Sequence, residues 1–302
     1  ARYDLDDAYP EQALRAAEGL ALDVDGALAD PLRRDVRDRF ALTIDPVDAR
    51  DFDDALSISR TADGGFALSV HIADVSHYVA WGDDIDLEAR RRTTSVYLAD
   101  RVIPMLPEEL SGDLCSLKPG EVRRTMTADL YLDDGVRLQG AVPYPSVMRS
   151  RVRLSYDEAQ ALLDGAAGVA EDAVARAAEE DVDLREVLRL ADELARLRAQ
   201  VRSRRGAIDF DTVEVHALMG SDGEPRDLVV QHRTAATALV EEAMLVANEC
   251  VASWLVRRDL EAVYRVHEPP TPEHLQAAAA ALVELGIIDR GRALAIAAGE
   301  IP

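Results

Sequence analysis

Cysteine, lysine and positive charge as a whole are scarce in this 302-residue chain. Its two cysteines, Cys115 and Cys250, lie far apart and form neither a CxxC motif nor a Cys/His metal pattern. Both sit in apolar stretches and are expected to be buried thiols of a reducing cytoplasm. No apolar run approaches the ~20 residues a membrane helix needs. Nothing near Ala1 resembles a signal peptide, so no membrane partner is expected. The deficit of positive charge is 34 Lys and Arg against 57 Asp and Glu, a net −23. That excludes a protein that coats nucleic acid over its whole surface. A local basic channel stays open, because local field matters more than the total. With 48% hydrophobic and 30% charged residues, the chain reads as a soluble, globular protein of one large or two medium domains.

What is present is an unusual concentration of acid. Asp45, Asp51, Asp53 and Asp54 fall within ten residues, in the run T-I-D-P-V-D-A-R-D-F-D-D-A-L. Carboxylates this close repel one another and raise each other's pKa. Oxygen-binding cations such as Mg²⁺ or Mn²⁺ are the usual remedy. In an extended segment Asp51 and Asp53 share a face and Asp54 points away, so all converge only if the chain turns here. Four carboxylates suffice for two ions ~3.5–4 Å apart, the arrangement used for in-line phosphoryl displacement. An EF-hand does not fit, since Leu56 stands where that loop needs Gly and no Glu follows at its twelfth position. A dehalogenase-type D-x-D fits poorly, since Arg50 precedes Asp51. The residues alone leave open metal-dependent phosphoryl chemistry, a structural cation loop and a solvated acidic turn.

The patterning predicts the elements around this cluster. Pro10 to Gly19 reads as a short helix and Arg33 to Arg39 as a charged connector. Phe40 to Ile44 reads as a strand. Phe66, Leu68, Val70 and Ile72 alternate with Ala67, Ser69, His71 and Ala73, as in a half-buried strand that follows an Asp63-Gly64-Gly65 turn. Asp84 to Arg92 is predicted as a helix, and 95–120 as irregular with a short helix near Glu108. Thr125–Leu132 and Val136–Tyr144 form a predicted hairpin. A further strand, Met148 to Leu154, puts Arg149, Arg151 and Arg153 on one face, as a lining for RNA or as a solvated face. Ser155-Tyr156-Asp157-Glu158 is a capping box. The Ala-rich stretch 166–182 reads as a solvated helix or loop. Asp183–Arg205 and Ala235–Arg258 are long helices. Ile208–Leu218, Leu228–Gln231 and Ala262–His267 read as strands, and Thr271-Pro272 caps a final helix ending near Gly286. His71, His77 and His267 share no ligand spacing and read as polar structure or channel lining.

The acidic run resembles the signature of the ribonuclease II/ribonuclease R family, the RNB catalytic domain. The resemblance continues in order through V-H-I-A-D-V-S-H-Y-V (70–79), V-I-P-M-L-P-E-E-L-S-G-D-L-C-S-L-K-P (102–119), V-E-E-A-M-L-V-A-N-E (240–249) and Y-R-V-H-E-P-P (264–270). It covers about residues 35–302, and H-I-A-D-V-S-H-Y-V is closer to the ribonuclease R branch. The resemblance implies a hydrolase, a processive, Mg²⁺-dependent 3′→5′ exoribonuclease that degrades single-stranded RNA to nucleoside 5′-monophosphates. Asp45, Asp51, Asp53 and Asp54 would be the catalytic and metal-binding cluster, with Asp53 the carboxylate whose loss most damages chemistry. Tyr97 and Phe210 would stack on bases, a sequence-tolerant grip. Tyr156 would bear on the last nucleotides and the final product length, and Glu241 would contact ribose hydroxyl. Each has a plainer role open to it: loop anchor for Tyr97, strand core for Phe210, helix-start packing for Tyr156. Glu241 and Glu242 are harder to dismiss, because a buried carboxylate on an apolar helix needs a partner.

The resemblance also sets out departures. A later T-S-P-I-R-R-Y-like segment is not found before Ile301-Pro302, and the chain lacks an initiator Met. The expectation is a piece of a longer, monomeric ribonuclease with cold-shock-type domains upstream and an S1-type domain downstream, weakly active or inactive by itself. The alternative is a naturally short, catalytically incomplete RNB-like module that binds RNA or regulates. The expected fold is α+β, a mixed, largely antiparallel sheet with long packing helices. A lead-in over 1–39 precedes the RNB-like domain over 40–302.

Overall fold

The computed structural model describes residues 6–99, 101–207, 214–220, 225–264, 266 and 268–299. Helices α1 (Glu11–Glu18) and α2 (Val24–Leu28) lead into strand β1 (Arg34–Asp35), then β2 (Ala41–Asp45), β3 (Asp54–Arg60) and β4 (Phe66–Ala73). Next come α3 (Val75–Tyr78), α4 (Asp84–Arg92), the small ribbon β5 (Val96–Tyr97) and β6 (Val102–Ile103), and a π-helical turn at Leu110–Leu114. Strands β7 (Val122–Leu132) and β8 (Leu138–Ser155) precede α5 (Tyr156–Leu163), α6 (Glu171–Ala178) and α7 (Leu184–Arg204). The ribbon β9 (Glu214–Met219) and β10 (Pro225–Gln231), then α8 (Ala235–Val256), α9 (Pro272–Glu284) and α10 (Arg290–Ala297), complete the described elements.

The main sheet runs β1-β8-β2-β3-β4-β7, and β7 pairs again with β8. Hydrogen bonding therefore passes from β8 through β2, β3, β4 and β7 and returns to β8. The length of β8 makes this possible. Its first part pairs antiparallel with β7, from Leu138↔Leu132 to Arg149↔Val122. Its last part pairs parallel with β2, from Ser150↔Ala41 to Ser155↔Asp45. Only the two pairings of β8 with β1 and β2 are parallel in this sheet, so the expected mixed, largely antiparallel α+β fold is the one observed. The hairpin between β3 and β4 needs its glycines. Gly64 has φ +88°, and a Cβ on Gly65 would lie 2.2 Å from the Leu132 carbonyl oxygen.

One face of the ring carries Leu42, Ile44, Leu56, Leu68, Val70, Leu130, Val152 and Leu154, packed with Leu184, Leu188, Leu194, Leu239 and Val246 of α7 and α8. Helices of this size lie outside a five-strand circuit, so the opposite strand faces point inward. There the side chains are polar and pair with each other. His71 lies between Ser57 Oγ (Nε2, 3.1 Å) and Thr127 Oγ1 (Nδ1, 2.7 Å), and Thr127 reaches Ser146 at 2.6 Å. Asp129 accepts from Ser69 (2.7 Å), Tyr144 (2.7 Å) and Arg39 (2.6 Å). A second apolar cluster joins Phe52, Tyr78, Ile85, Leu110, Leu117 and Met148.

Several expectations need correction. The polar side of β4 is not solvated: Ser69 and His71 are buried, because a closed ring gives that face an interior with its own partners. The hairpin strand ending at Tyr144 and the strand at Met148–Leu154 are one strand, since β8 exchanges β7 for β2 without leaving the extended conformation. The connector at 33–39 contains β1, which pairs with Ser146 and Val147. The Ala-rich stretch is not wholly solvated, since Ala177 of α6 is buried in the first core. Ala262–Tyr264 and Val266 carry no strand, and Val263 and Val266 are exposed; an extended segment without a neighbouring strand has nothing to pair with. A helix after Gly286, α10, was not foreseen. Residues 208–213, including Phe210, and His267 lie outside the described residues.

Close contacts divide the chain into Ala1–Arg258 and Asp259–Pro302. Within the second unit α9 packs on α10.

Candidate active site

The acidic run folds as a loop between two neighbouring strands. Asp45 is the last residue of β2 and Asp54 the first of β3, so the antiparallel pairing that matches Leu42 with Leu56 brings both to one end of the sheet. The loop between them is pinned at several points. Arg153 Nη2 donates to the carbonyls of Pro46 (2.8 Å) and Val47 (3.0 Å). Ser116 Oγ donates to the Arg50 carbonyl (2.8 Å) and accepts from the Phe52 amide (3.1 Å). The Leu117 amide donates to Phe52 O (2.8 Å), and the Ala73 amide to Asp53 O (2.9 Å). Phe52 itself is buried in the second core. The chain therefore turns where convergence of the aspartates required it to turn.

The electrostatics are those of crowded, part-desolvated acid. Burial, with the charge of Asp54 next, pushes Asp45 up to about 7 against the opposing pull of Arg153. Burial, then Asp53, pushes Asp54 up to about 6. Asp53 is also raised, by desolvation and then by Asp51. Asp45 is 9% exposed, and its Oδ2 is buried without a hydrogen-bond donor. Such a set carries more negative charge than Arg153 offsets, and its hard oxygen donors suit Mg²⁺ or Mn²⁺. The fit is one of chemistry and charge. Among the described residues, no three His, Cys, Asp or Glu side chains stand at the spacing of a finished metal cage.

Two of the aromatics singled out from the sequence arrive at this cluster. Tyr97 is 68% exposed on β5, and its hydroxyl donates to Asp51 Oδ2 at 3.2 Å. Tyr156 follows Ser155, which pairs with Asp45, and its hydroxyl is raised to about 12 by burial and then by Asp45 and Asp54. It also packs against the first core, so the plainer packing role holds as well. The capping box forms as read: Ser155 Oγ accepts from the Glu158 amide at 3.2 Å, and Glu158 accepts from the Ser155 amide at 2.7 Å.

The other predicted residues are dispersed. Glu241 is exposed on α8 and accepts from Arg233 at 2.7 Å; no described contact joins it to the aspartates. The buried carboxylate of that pair is Glu242, held by Arg202 at 2.6 and 2.8 Å. A register shift in β8, where Ala41 pairs with Ser150 but Leu42 with Val152, interrupts the alternation expected to put its three arginines on one face, and they do not share a task. Arg153 holds the acidic loop. Arg151 donates to the Arg37 carbonyl (2.6 Å) and pairs with Glu180 (2.9 Å), and Arg149 lines a cleft with Asp35 and Arg37. A solvated stripe does not describe them. Sequence reasoning missed Ser116, whose one signal is its place in the D-L-C-S-L-K-P run, and missed the loop-holding role of Arg153. Cys115 and Cys250 are free, buried thiols, as expected.

Residues 33–296 match the RNB domain. Ribonuclease R of Aquifex aeolicus is 38% identical over 275 residues, 91% of this chain and 38% of that protein. Ribonuclease R of Thermotoga maritima is 39% identical over 267 residues, 88% of this chain and 36% of that protein. The chain thus spans well under half the length of these two relatives. Among solved structures, Mycoplasma genitalium RNase R in complex with ribose methylated single-stranded RNA superposes with a TM-score of 0.83 at 31% identity, over 93% of this chain and 42% of that one. The matched stretch contains the acidic loop, the residues that pin it and the whole main sheet, and the chain belongs to the RNB family, on its ribonuclease R side.

Proposed function

We propose that this chain carries the catalytic centre of a metal-dependent 3′→5′ exoribonuclease that hydrolyses single-stranded RNA to nucleoside 5′-monophosphates. The observation that carries the reading is the acidic loop itself: four aspartates held at one sheet end, Asp45 and Asp54 with raised proton affinity, and one buried Asp45 oxygen without a donor. Asp45, Asp51, Asp53 and Asp54 are the residues that would hold Mg²⁺ or Mn²⁺, which when bound neutralises phosphate charge and acidifies an attacking water. Hydrolysis adds water across the terminal phosphodiester: the hydroxyl stays on phosphorus as the 5′-phosphate, and the proton ends on the 3′ oxygen of the shortened strand. Arg153 and Ser116 fix the loop backbone, so the carboxylates need little rearrangement as the phosphate arrives. Tyr97, through its hydrogen bond, orients Asp51 and exposes its ring for stacking. Tyr156 borders the far side of the cluster, beside Asp45 and Asp54. Phe210 as a second stacking residue, Glu241 as a ribose contact and Arg149, Arg151 and Arg153 along the RNA path belong to the same proposal. So do the cold-shock-type and S1-type domains, the monomeric state and the cytoplasmic location.

The test is Asp53→Asn in the intact protein. Release of mononucleotides is abolished while RNA binding survives. Degradation at the wild-type rate removes Asp53 from the mechanism. A second reading, a catalytically incomplete RNA-binding module, draws on the lack of a three-carboxylate cage among the described residues. Wild-type protein that binds RNA yet releases no mononucleotide at any Mg²⁺ or Mn²⁺ concentration supports that reading instead.

A further inference from the structure

Of the three arginines of β8, two have terminal nitrogens bonded within the fold. Arg153 is tied to the Pro46 and Val47 carbonyls, and Arg151 to the Arg37 carbonyl and Glu180. Arg149 is different. No described residue offers it a hydrogen bond or an ion pair; its Nε, like those of Arg151 and Arg153, is buried without an acceptor, and its terminal nitrogens have none either. It lines an open cleft of about 660 Å³ together with Asp35, Arg37, Asp38, Val122 and Arg151. Within that lining Arg37 is forked onto Asp35 at 2.9 and 2.6 Å, so those two charges cancel. What remains uncompensated is Arg149, half-buried, and Asp38, exposed. A desolvated cation counts for more than a solvated anion, because water screens the latter. In a chain of net charge −23, a half-buried guanidinium without a carboxylate partner marks the place for an anion from outside.

We propose that this cleft is a phosphate seat for a nucleotide, with Arg149 as its principal contact. A guanidinium presents a planar fork of donors that matches two phosphate oxygens. The cleft is in the size range of small-molecule sites, larger than a bare inorganic anion needs. It lies on the strand that also holds the acidic loop: Arg149 and Arg153 are four residues apart, roughly 13 Å at the strand rise. The nucleic-acid identity of the ligand rests on the ribonuclease reading; the anion seat does not. Two sources share the chemistry, the free 5′-monophosphate and a phosphate of the RNA strand.

Calorimetric titration of the intact protein in EDTA, so that the aspartate cluster takes no divalent ion, tests the seat with adenosine 5′-monophosphate, adenosine and a short oligoadenylate. The monophosphate binds and adenosine does not. Arg149→Gln weakens binding about tenfold or more, and Arg149→Lys recovers part of it. Asp38→Asn tightens binding, because a like charge is removed; opposite responses from two neighbouring variants separate a charge effect from a loss of fold. If the oligoadenylate rather than the monophosphate shows the Arg149 dependence, the seat serves the strand. Equal affinity of wild type and Arg149→Gln for both phosphate ligands overturns the proposal. That result leaves the Asp53 reading standing. Conversely, wild-type hydrolysis by Asp53→Asn sinks the ribonuclease reading and leaves an Arg149-dependent monophosphate site intact.

Discussion

Asp45 shows why residue type matters less than surroundings. It is one of four similar carboxylates, yet it combines burial, a charged neighbour and an oxygen without a donor. Without a cation this is a destabilising arrangement; with one it becomes a stabilising site, by the mass-action gain of any ligand bound only to the folded state. That gain is about 2.7 kcal/mol at a hundred times Kd. Adding Mg²⁺ therefore raises the melting temperature of the wild-type protein. Asp45→Asn melts higher than wild type in EDTA and gains less from Mg²⁺. Equal Mg²⁺-induced shifts in the two proteins would remove Asp45 from the cation site. The arginines of β8 carry the complementary lesson. Arg149, Arg151 and Arg153 have the same side chain and even spacing, but one is left open, one bridges to Arg37 and Glu180, and one holds the acidic loop. Spacing predicted a single face, but the register shift between Ser150 and Val152 interrupts the alternation, and the elements packed against β8 divided their roles.

At the scale of the element, the acidic loop depends on groups distant in sequence. Ser116 is fully buried and serves Arg50 and Phe52 at once. Ser116→Ala strips the Phe52 amide of its acceptor and the Arg50 carbonyl of its donor. Leaving a buried backbone group unsatisfied costs about 1–3 kcal/mol. The expected outcome is that loss in urea unfolding, with slower mononucleotide release and unchanged RNA affinity. An unaltered rate would show that the Ser116 contacts do not position the aspartates. Helices were the most legible elements, since their signals are local. Asp84–Arg92 forms over the predicted span, and Asp183, Thr234 and Thr271 accept from first-turn amides as N-caps. Strand β8 was legible in parts only. Its extended conformation is continuous, but its register shift against β2 and its change of partner between Arg149 and Ser150 depend on where β7 ends and β2 begins.

At the scale of the molecule, closure of the strand circuit sets the character of the interior. An open sheet would leave Ser57, Ser69, His71, Thr127 and Asp129 to water, as the alternation of β4 suggested. Closure buries them and makes them satisfy each other. His71 has the strongest consequence. Burial, then the charge of Arg39, lowers it to about 4, whereas the unfolded chain holds a histidine near its ordinary 6.5. Between those values the unfolded state binds the extra proton, so stability is complete above about pH 6.5 and is lost as pH falls toward 4. The span corresponds to an amount on the order of 3 kcal/mol. His71→Gln flattens that part of the unfolding free-energy profile; a slope equal to that of wild type would place the acid sensitivity elsewhere.

The sequence alone determined the acidic run, the helices, the strand pattern, the buried thiols and the family resemblance, because each is carried by residues close together in the chain. The tertiary structure decided that the acidic run is a pinned loop, that Tyr97 reaches Asp51, that Glu242 rather than Glu241 is the buried carboxylate, and that of the three β8 arginines Arg149 is the one without a described hydrogen-bond or ion-pair partner. Those facts are set by what lies across the fold, and a charge acquires its meaning from the groups that face it and from the water that has been removed around it.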